Sequence, residues 1–340
     1  MGLEGASDTA TVRKRMGVVA LAVPSQLGAA SPSAGDSRRY NAGSVQMHPG
    51  LGKSFQRDSM ARNQEARDFI LFYASVLRKE LFTLEYPHMD ALILAAGYAT
   101  RLYPLTKTKP KPLLEVDGRP MMEYVVDSLL TIPEVKQVYV VTNAKFAADF
   151  QAWADRYSKQ HGKIQFTILN DGSTDDSNKL GAIGDIHFVY KQQKLNDDLI
   201  IVAGDNLFDS PLTDFVNTCR AKSAPVVALY DVGNLEAIKK YNNITTDATG
   251  RITFFEEKPA NPKTTLTAIA IYFYPRRALQ MIDTYIREGN NPDQPGRLIQ
   301  WLYKREPVYT HVLKGKWYDI GSLETLEEAN RVFARSKVHA

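Results

Sequence analysis

The sequence predicts a doubly wound α/β fold for residues 89–335, built on a mostly parallel sheet. From Met89 onward, short apolar runs alternate with segments of helical periodicity; the runs are ALILAA, QVYVVT, IQFTIL, LIIVAG and PVVALY. Each run is apolar almost throughout, not at every second residue. This pattern is typical of strands that are covered by helices on both faces of a parallel sheet.

Helical patterns fill the gaps between these runs. We expect helices near residues 120–130, 145–158, 180–190 and 211–222,. Open sheets of this kind bind ligands in the crevice beyond the carboxyl ends of their strands. Residues that follow the apolar runs are therefore the first candidates for a functional site.

The second half of the chain has a more mixed pattern. Residues 242–259 alternate around a turn at Gly250 and predict an antiparallel hairpin, followed by a strand over 266–274 and a helix over 276–288,. We expect this small antiparallel subregion to form a wall over the crevice. No hexapeptide repeat follows Asp319, so the sequence predicts no C-terminal β-helix,.

Residues 1–88 differ in composition and are expected to form an N-terminal extension. The first 62 residues are rich in Gly, Ala, Ser and Arg and lack periodicity, which is typical of disorder,. Apolar residues at helical spacing predict an amphipathic helix within 63–85,. Met89 would be a natural translation start, and 336–340 a short tail.

The charge balance argues against a nucleic-acid-binding surface. The chain has a net charge of +4, but residues 89–340 hold 31 basic and 30 acidic residues,. No run approaches the roughly 18 apolar residues of a membrane span. The lone Cys219 cannot form an internal disulfide, which is consistent with a reducing compartment,. We expect a cytoplasmic protein without nucleic-acid or membrane partners. A homo-oligomer is an alternative to a monomer that the sequence leaves open.

One stretch concentrates positive charge without any acid. GYATRLYPLTKTKPKPL, residues 97–113, follows the first apolar run. Gly97 would let backbone N–H groups approach phosphate oxygens, Arg101 can donate two parallel hydrogen bonds, and Lys111 lies in a segment stiffened by proline,. The spacing is neither a Walker loop nor a G-x-G-x-x-G fingerprint. A solvated basic loop is the alternative, and a polyphosphate ligand is the favoured interpretation.

The same stretch resembles the signature of the sugar-1-phosphate nucleotidyltransferases, or nucleotide-sugar pyrophosphorylases, in their short form without a C-terminal β-helix. That signature is A-G-x-G-T-R-L-x-P-x-T followed by P-K-P-L; this chain has AAGYATRLYPLTKTKPKPL. Three further segments agree in order: VAGDNLF, FFEEKPANP and GKWYDIGSLETLEEAN. Ala99 and Ala270 stand where the family often has glycine. The resemblance covers about residues 89–335 and implies a Rossmann-like nucleotidyltransferase fold.

The resemblance implies transfer of a nucleotidyl group from a nucleoside triphosphate to a sugar 1-phosphate, with Mg²⁺ as cofactor. It assigns catalysis to Arg101, Lys111 and Asp205, metal binding to Asp205 and Asp319, and the sugar phosphate to Glu257 and Lys258. The residues it places at the nucleotide are Ala95, Ala96, Gly97, Thr100, Arg101, Lys111, Asn170, Gly172 and Gly181. Without the resemblance, a turn or a helix cap would explain either aspartate, and a surface ion pair would explain Glu257 and Lys258.

The base is expected to contact the loop between the third strand and its helix, residues 170–186. The sequence does not select among uridine, thymidine, cytidine and guanosine as the nucleoside of the triphosphate, and it disfavours adenosine. Two alternatives to the main hypothesis remain: a cytidylyltransferase acting on phosphocholine or another alcohol phosphate, and a non-catalytic regulatory subunit. A dehydrogenase is excluded because its glycine fingerprint is missing,.

Overall fold

The computed structural model describes residues 88–162 and 164–336. The predicted N-terminal extension lies outside the described residues except for His88, and so does the tail after Ser336. The strands are β1 (Met89–Leu94), β2 (Glu115–Val116), β3 (Arg119–Pro120), β4 (Val135–Thr142), β5 (Gln165–Asn170), β6 (Asp198–Ala203), β7 (Asn206–Phe208), β8 (Val226–Asp231), β9 (Asn242–Thr246), β10 (Ile252–Glu257), β11 (Leu266–Tyr274), β12 (Tyr309–Val312) and β13 (Trp317–Asp319).

Helices separate the strands as the sequence predicts. They are α1 (Met121–Leu130), α2 (Ala147–His161), α3 (Ala182–Gln193), α4 (Thr213–Lys222), α5 (Leu235–Ile238), α6 (Gln280–Arg287), α7 (Pro295–Leu302) and α8 (Leu323–Ser336). The predicted helix over 276–288 starts with a separate 3₁₀ turn, Arg276–Ala278. α2 continues three residues beyond its predicted end, because its stop signal is Gly162 in the left-handed region,.

The main sheet has seven strands in the order β12-β8-β11-β6-β1-β4-β5. Only β11 runs antiparallel to its neighbours, β6 and β8; the other pairs are parallel. The prediction of a mostly parallel sheet is confirmed. Pairing of β11 with β8 is interrupted between Ala268 and Tyr272, where Ala270 has a φ of +56°.

Both faces of the sheet are covered. One face of β1 places Ala91 and Ile93 in a core with Val125 of α1, Trp153 of α2 and Phe215 of α4. Because side chains alternate along a strand, Leu92 faces the opposite layer, which contains residues of α3, α6 and α7,. Continuous apolar strands with helices on both sides define the doubly wound class.

A third, smaller core lies beside the sheet. It joins Leu102, Val116, Leu207, Ile320 and the α8 residues Ala329 and Phe333. This cluster attaches the last helix to the loop after β1 and to the two-stranded ribbon of β7 and β13. Chain segments more than 200 residues apart in sequence are thereby held together.

The predicted hairpin is also present. β9 and β10 pair antiparallel, and β9 contacts β11. Within the described part of the chain, no helix has the length and apolar character that crossing a membrane requires.

Candidate active site

The loop after β1 forms one wall of a cavity of about 520 Å³. Its lining includes Ala95, Ala96, Gly97, Thr100 and Arg101, all predicted to contact the nucleotide. A Cβ atom added to Gly97 would meet no atom within 4 Å, so the backbone there faces open space. An exposed main chain without a side chain is what close approach of a phosphate requires.

Local hydrogen bonds fix the course of this loop. Nδ2 of Asn143 donates to the carbonyl of Ala96 over 2.9 Å, and the Thr106 hydroxyl donates to the carbonyl of Ala99 over 2.8 Å. Ala99 lies in the left-handed region with a φ of +46°, as Ala270 does at +56°. Both alanines therefore stand where glycine would be conformationally easier, which is the physical reason that the related signature has glycine there.

Lys111 follows Pro110 and precedes Pro112 in a 3₁₀ turn, Lys111–Leu113. Its side chain is only 10% exposed, and Nζ lies 2.7 Å from Oδ2 of Asp205, which is 38% exposed. Burial raises the pKa of Asp205, but the Lys111 ammonium and the more distant Arg101 outweigh it and hold that pKa below its ordinary value,. The carboxylate is therefore ionised at neutral pH.

Asp205 lies between two features that fix its position. Gly204 precedes it, and a Cβ atom there would lie 3.0 Å from Cγ2 of Ile93 and 3.2 Å from the carbonyl oxygen of Leu94. β7 follows it and pairs antiparallel with β13, so that Asn206 is opposite Asp319. The backbone segments that carry Asp205 and Asp319 therefore lie side by side, although 114 positions separate them in sequence.

Aromatic and amide groups support the ribbon at this point. Nε1 of Trp317 donates to Oδ1 of Asn206 over 2.6 Å, and Asn206 in turn donates to the carbonyl of Ile269. The Tyr241 ring contacts Trp317, and its hydroxyl is hydrogen bonded to Asp319. Burial, together with the carboxylate of Asp319, raises the pKa of Tyr241, so the phenol keeps its proton and remains a donor.

The carboxylates of Asp205 and Asp319 have the donor chemistry that a magnesium ion shared with phosphate would need. Magnesium prefers oxygen ligands and usually takes one or two carboxylates, completing its shell with water and substrate phosphates. Among the residues of 88–162 and 164–336, no group of three or more His, Cys, Asp or Glu side chains is placed to hold a metal. A two-carboxylate site formed by Asp205 and Asp319 has the right donor chemistry.

Glu257 is the last residue of β10 and Lys258 follows it; neither lines the cavity. The backbone N–H of Lys258 donates to the carbonyl of Tyr241 over 2.7 Å. Burial raises the pKa of Glu257, while Arg297 and Lys258 act in the opposite direction. The N-terminus of α7 packs on Glu257, because a Cβ on Gly296 would lie 3.1 Å from its Oε1.

The residues predicted for the base are only partly brought to the cavity. Gly181 lines it, whereas Asn170 and Gly172 do not; Oδ1 of Asn170 instead accepts from the N–H of Gly172 over 2.9 Å. A Cβ on Gly181 would lie 2.6 Å from Cα of Asp293. The absence of a side chain at Gly181 thus permits close packing of a neighbouring loop, where we expected it to admit the base.

Sequence reasoning missed several residues of the cavity wall. Tyr98, Asp176, Lys179, Asp185 and Asp293 all line it. Nζ of Lys179 lies 3.2 Å from a carboxylate oxygen of both Asp176 and Asp293, so it joins two loops at the cavity mouth. An acid in the first turn of a predicted helix indicates only a favourable helix dipole, and no sequence signal showed that Asp185 would be buried.

Comparison with known proteins gives the family. Residues 90–336 match the family described as Nucleotidyl transferase. Over 251 residues the chain is 31% identical to the UTP--glucose-1-phosphate uridylyltransferase of Synechocystis sp., an alignment that covers 72% of this chain and 63% of the relative. Over 244 residues it is 28% identical to the bifunctional protein GlmU of Methanocaldococcus jannaschii, covering 72% and 54%. The chain thus spans about half to two thirds of the length of these relatives.

Solved structures agree on the fold. A UDP-glucose pyrophosphorylase complexed with UDP-glucose superposes with a TM-score of 0.62 at 22% identity, covering 73% of this chain and 99% of that one. The apo form of a UDP-glucose pyrophosphorylase gives the same score and covers 74% of this chain. The resemblance inferred from the motifs is confirmed by the matched family: this chain belongs to the nucleotidyl transferase family.

Proposed function

We propose that the chain transfers a nucleotidyl group from a nucleoside triphosphate to a sugar 1-phosphate in a Mg²⁺-dependent reaction that releases pyrophosphate. One observation supports this most strongly. The buried Lys111 is paired with the ionised Asp205, and both line the same cavity as the open, glycine-containing loop after β1. A cation, a carboxylate and free backbone donors around one space are the groups that a triphosphate and its metal require.

The chemistry needs no general base from the protein. A sugar 1-phosphate already carries a nucleophilic oxygen anion, because the second pKa of a phosphate monoester is near 6. That oxygen attacks the α-phosphorus, and the bond to the β-phosphate oxygen breaks. The barrier comes from bringing anions together and from charge that develops on pyrophosphate, so catalysis depends on alignment and positive charge.

Lys111 and Arg101 would supply that charge. Lys111 is held by two prolines and a 3₁₀ turn, so its ammonium loses little freedom when phosphate binds,. Arg101 is exposed in the 3₁₀ turn Thr100–Leu102, and its guanidinium lies near Gly321, two residues beyond Asp319. We assign Arg101 to the departing β- and γ-phosphates and Lys111 to the oxygens next to the reacting phosphorus.

Asp205 and Asp319 would hold the magnesium ion. When bound, the ion would neutralise phosphate charge and help to orient the reacting groups. The protein's own contribution is to keep both carboxylates in place: the β7–β13 pairing fixes their backbones, and the Tyr241 hydroxyl donates to Asp319,. With the metal bound, Lys111 would exchange its carboxylate partner for phosphate.

Lys258 and Glu257 would hold the acceptor. Both lie beside Tyr241, on the metal side of the crevice, where an incoming phosphate must approach. Lys258 offers the ammonium for the sugar phosphate, and Glu257 offers acceptor oxygens for sugar hydroxyls. The substrates are therefore a nucleoside triphosphate and a sugar 1-phosphate. We also propose a cytoplasmic location, supported by the single buried thiol of Cys219,.

Pyrophosphate release across a substrate panel tests this function. The full chain is assayed with five triphosphates against several sugar 1-phosphates and phosphocholine, with and without Mg²⁺. We expect turnover with at least one sugar 1-phosphate and only with metal. Turnover with phosphocholine alone would establish the alcohol-phosphate alternative. Nucleotide binding without any turnover over the whole panel would establish a regulatory role.

A further inference from the structure

Asp185 is a buried acid that no step of the proposed reaction uses. It lies in the first turn of α3, it is 5% exposed, and it lines the same cavity as Gly97, Arg101 and Lys111. Its Oδ1 atom is closed off from solvent and has no hydrogen-bond partner among the described residues. A carboxyl group in such a place is more stable with its proton than without it, because an unpaired buried charge is costly.

A second carboxyl group, that of Asp171, lies within hydrogen-bonding reach of Asp185. Oδ1 of Asp171 accepts from the N–H and the hydroxyl of Ser173, each over 2.7 Å, and its Oδ2 lies 2.9 Å from the same hydroxyl. Two carboxyl groups in contact share one proton, because two negative charges at this distance repel each other. Since Asp171 already accepts from Ser173, the shared proton lies on Asp185. Burial, together with the neighbouring Asp171, raises the pKa of Asp185 to about 8.

The same network of hydrogen bonds continues to the loop after β1. The Tyr98 hydroxyl donates to Oγ of Ser173 over 3.3 Å, and this bond is buried. The donors therefore follow one direction, from Tyr98 to Ser173 to Asp171, and protonated Asp185 donates to the same carboxylate. Residues 95–101, here called the phosphate loop for their proposed role, are thereby connected to the first turn of α3.

Main-chain hydrogen bonds fix the centre of the network where β4 and β5 end. The N–H of Asp171 donates to the carbonyl of Thr142 over 2.8 Å, and the N–H of Ala144 donates to the carbonyl of Ser173 over 2.9 Å. These bonds do not depend on the protonation of any side chain. Because the main chain holds Asp171 and Ser173, a new charge at the acid pair is relieved by movement of the side chains that are bonded to them.

Other titratable groups lie on the elements that pack against α3, and each has its own partner. They are Tyr98, Asp176, Lys179, Asp283 and Asp293. Burial raises the pKa of Tyr98, so its phenol is neutral through pH 9. Lys179 lies 3.2 Å from a carboxylate oxygen of each of the two loop acids, and Asp283 of α6 is bonded to His187. The charge that acts on Asp185 is that of Asp171.

We propose that Asp185 is a positioning residue for the phosphate loop: when protonated it completes the network through Asp171 and Ser173, and loss of its proton releases the loop and weakens nucleotide binding. The proposal rests on the proposed function, because the nucleotide is the substrate of that reaction. Deprotonation acts twice, since it breaks the bond to Asp171 and adds a negative charge to the wall of a cavity that receives a triphosphate. Because the nucleotide binds the protonated form more tightly, its affinity falls as pH rises through 8.

Equilibrium binding tests the proposal without turnover. The full chain is titrated calorimetrically, without Mg²⁺, with UTP, dTTP, CTP, GTP and ATP at pH 7, 8 and 9, where the triphosphates are almost fully ionised. For the triphosphate that binds most tightly, Kd should rise by about five- to tenfold from pH 7 to pH 9. Asp185→Asn has no proton to lose and its amide still donates to Asp171, so its Kd should change by less than about twofold. Asp149→Asn, at the exposed first-turn acid of α2, is the matched control and should keep the wild-type pH dependence.

Amide hydrogen exchange in residues 95–101 tests the loop itself, with no ligand present. Asp185→Leu and Tyr98→Phe should each raise the exchange rate of this segment by about fivefold or more at pH 7, whereas Asp185→Asn should stay within about twofold of wild type. An equal pH dependence of Kd in wild type and Asp185→Asn, or an unchanged exchange rate in both Asp185→Leu and Tyr98→Phe, would overturn the proposal. Binding with the expected pH dependence but no turnover across the substrate panel would instead contradict the proposed function and leave the role of Asp185 standing.

Discussion

Nζ of Lys111 and Oδ2 of Asp205 lie 2.7 Å apart, across 94 positions of sequence. The ammonium is nearly buried and the carboxylate is about one-third exposed. Lys111 holds the Asp205 carboxylate in its charged state at the point where the loop after β1 meets the end of β6. In the proposed reaction Lys111 would pair with a phosphate and Asp205 would hold the metal, because each side chain then gains a partner of higher charge.

Replacing Lys111 should therefore impair chemistry more than folding. We expect Lys111→Met to lower kcat by about 100-fold or more, while the free energy of unfolding falls by about 1–2 kcal/mol because Asp205 can still reach water. Steady-state kinetics and urea unfolding measure the two effects. Lys109→Met is the matched control, since Lys109 pairs with Glu115 at the surface; equal losses in both variants would contradict the assignment.

Asp319 should act through the metal. We expect Asp319→Asn to lower kcat by about 100-fold and to raise the Mg²⁺ concentration that gives half-maximal rate. Tyr241→Phe removes only the hydrogen bond to Asp319, so a smaller effect in the same direction, about tenfold, is expected,. Rate measured against Mg²⁺ concentration checks both. An Asp319→Asn enzyme with an unchanged magnesium curve would exclude Asp319 as a ligand.

Lys258 should affect the acceptor and not the triphosphate. Loss of one charge-assisted hydrogen bond predicts an increase of about 10- to 100-fold in KM for the sugar phosphate in Lys258→Ala. KM for the triphosphate should change little. Lys263→Ala serves as the control, because its ammonium lies over the ring of Phe254. An increase in KM for the triphosphate alone would contradict the assignment, because it would show that Lys258 contacts the triphosphate and not the sugar phosphate.

Asp185 makes stability depend on pH. Its pKa is raised to about 8 in the folded state, whereas an unfolded aspartate titrates near 4. Between these values the unfolded chain binds fewer protons, so the free energy of unfolding falls as pH rises, by at most about 1.4 kcal/mol per pH unit from this group. Above pH 8 the effect levels off.

The comparison with Asp185→Asn isolates this contribution. Since the variant has no titrating group at the site, its stability relative to wild type should increase from pH 5 to pH 8 and then stay constant. Urea unfolding at several pH values measures the difference. A difference that does not change with pH would show that Asp185 titrates as an ordinary carboxyl group.

Gly181 and Gly172 form a matched pair for backbone packing. Both have positive φ, +79° and +83°, but a Cβ on Gly181 would lie 2.6 Å from Cα of Asp293 and one on Gly172 would meet nothing within 4 Å. We expect Gly172→Ala to cost about 1 kcal/mol of unfolding free energy and Gly181→Ala about 1–3 kcal/mol more. Equal costs in thermal or urea unfolding would contradict the observed packing.

The fold could be predicted because its signals are local and redundant. A continuous apolar run such as 199–204 indicates a buried parallel strand. Each helical segment between two such runs indicates a helix that covers the sheet. The antiparallel direction of β11 was not predictable in this way. Its residues form an apolar run like the others, and only tertiary pairing with β6 and β8 decides its orientation.

The residues of the candidate site show the same difference between local sequence signals and tertiary contacts. Arg101 and Lys111 lie in one short motif with a distinctive composition, so the sequence indicated a phosphate-binding loop. Asp185 carries no such signal, because its burial arises from tertiary packing and its raised pKa also depends on Asp171, which belongs to another segment. The packing of Gly181 against the loop at Asp293 was likewise not predictable, because the sequence does not show whether a glycine makes room for a ligand or for a neighbouring backbone.

The most direct measurement of the central claim follows the fate of labelled phosphate. The full chain is incubated with Mg²⁺, an active sugar 1-phosphate and a triphosphate labelled either at the α- or at the γ-position, and products are separated by chromatography. The account predicts that the α-label appears in a nucleotide sugar and the γ-label in pyrophosphate, and that Asp205→Asn abolishes both. Release of the γ-label as inorganic phosphate, with no label reaching the sugar, would contradict it.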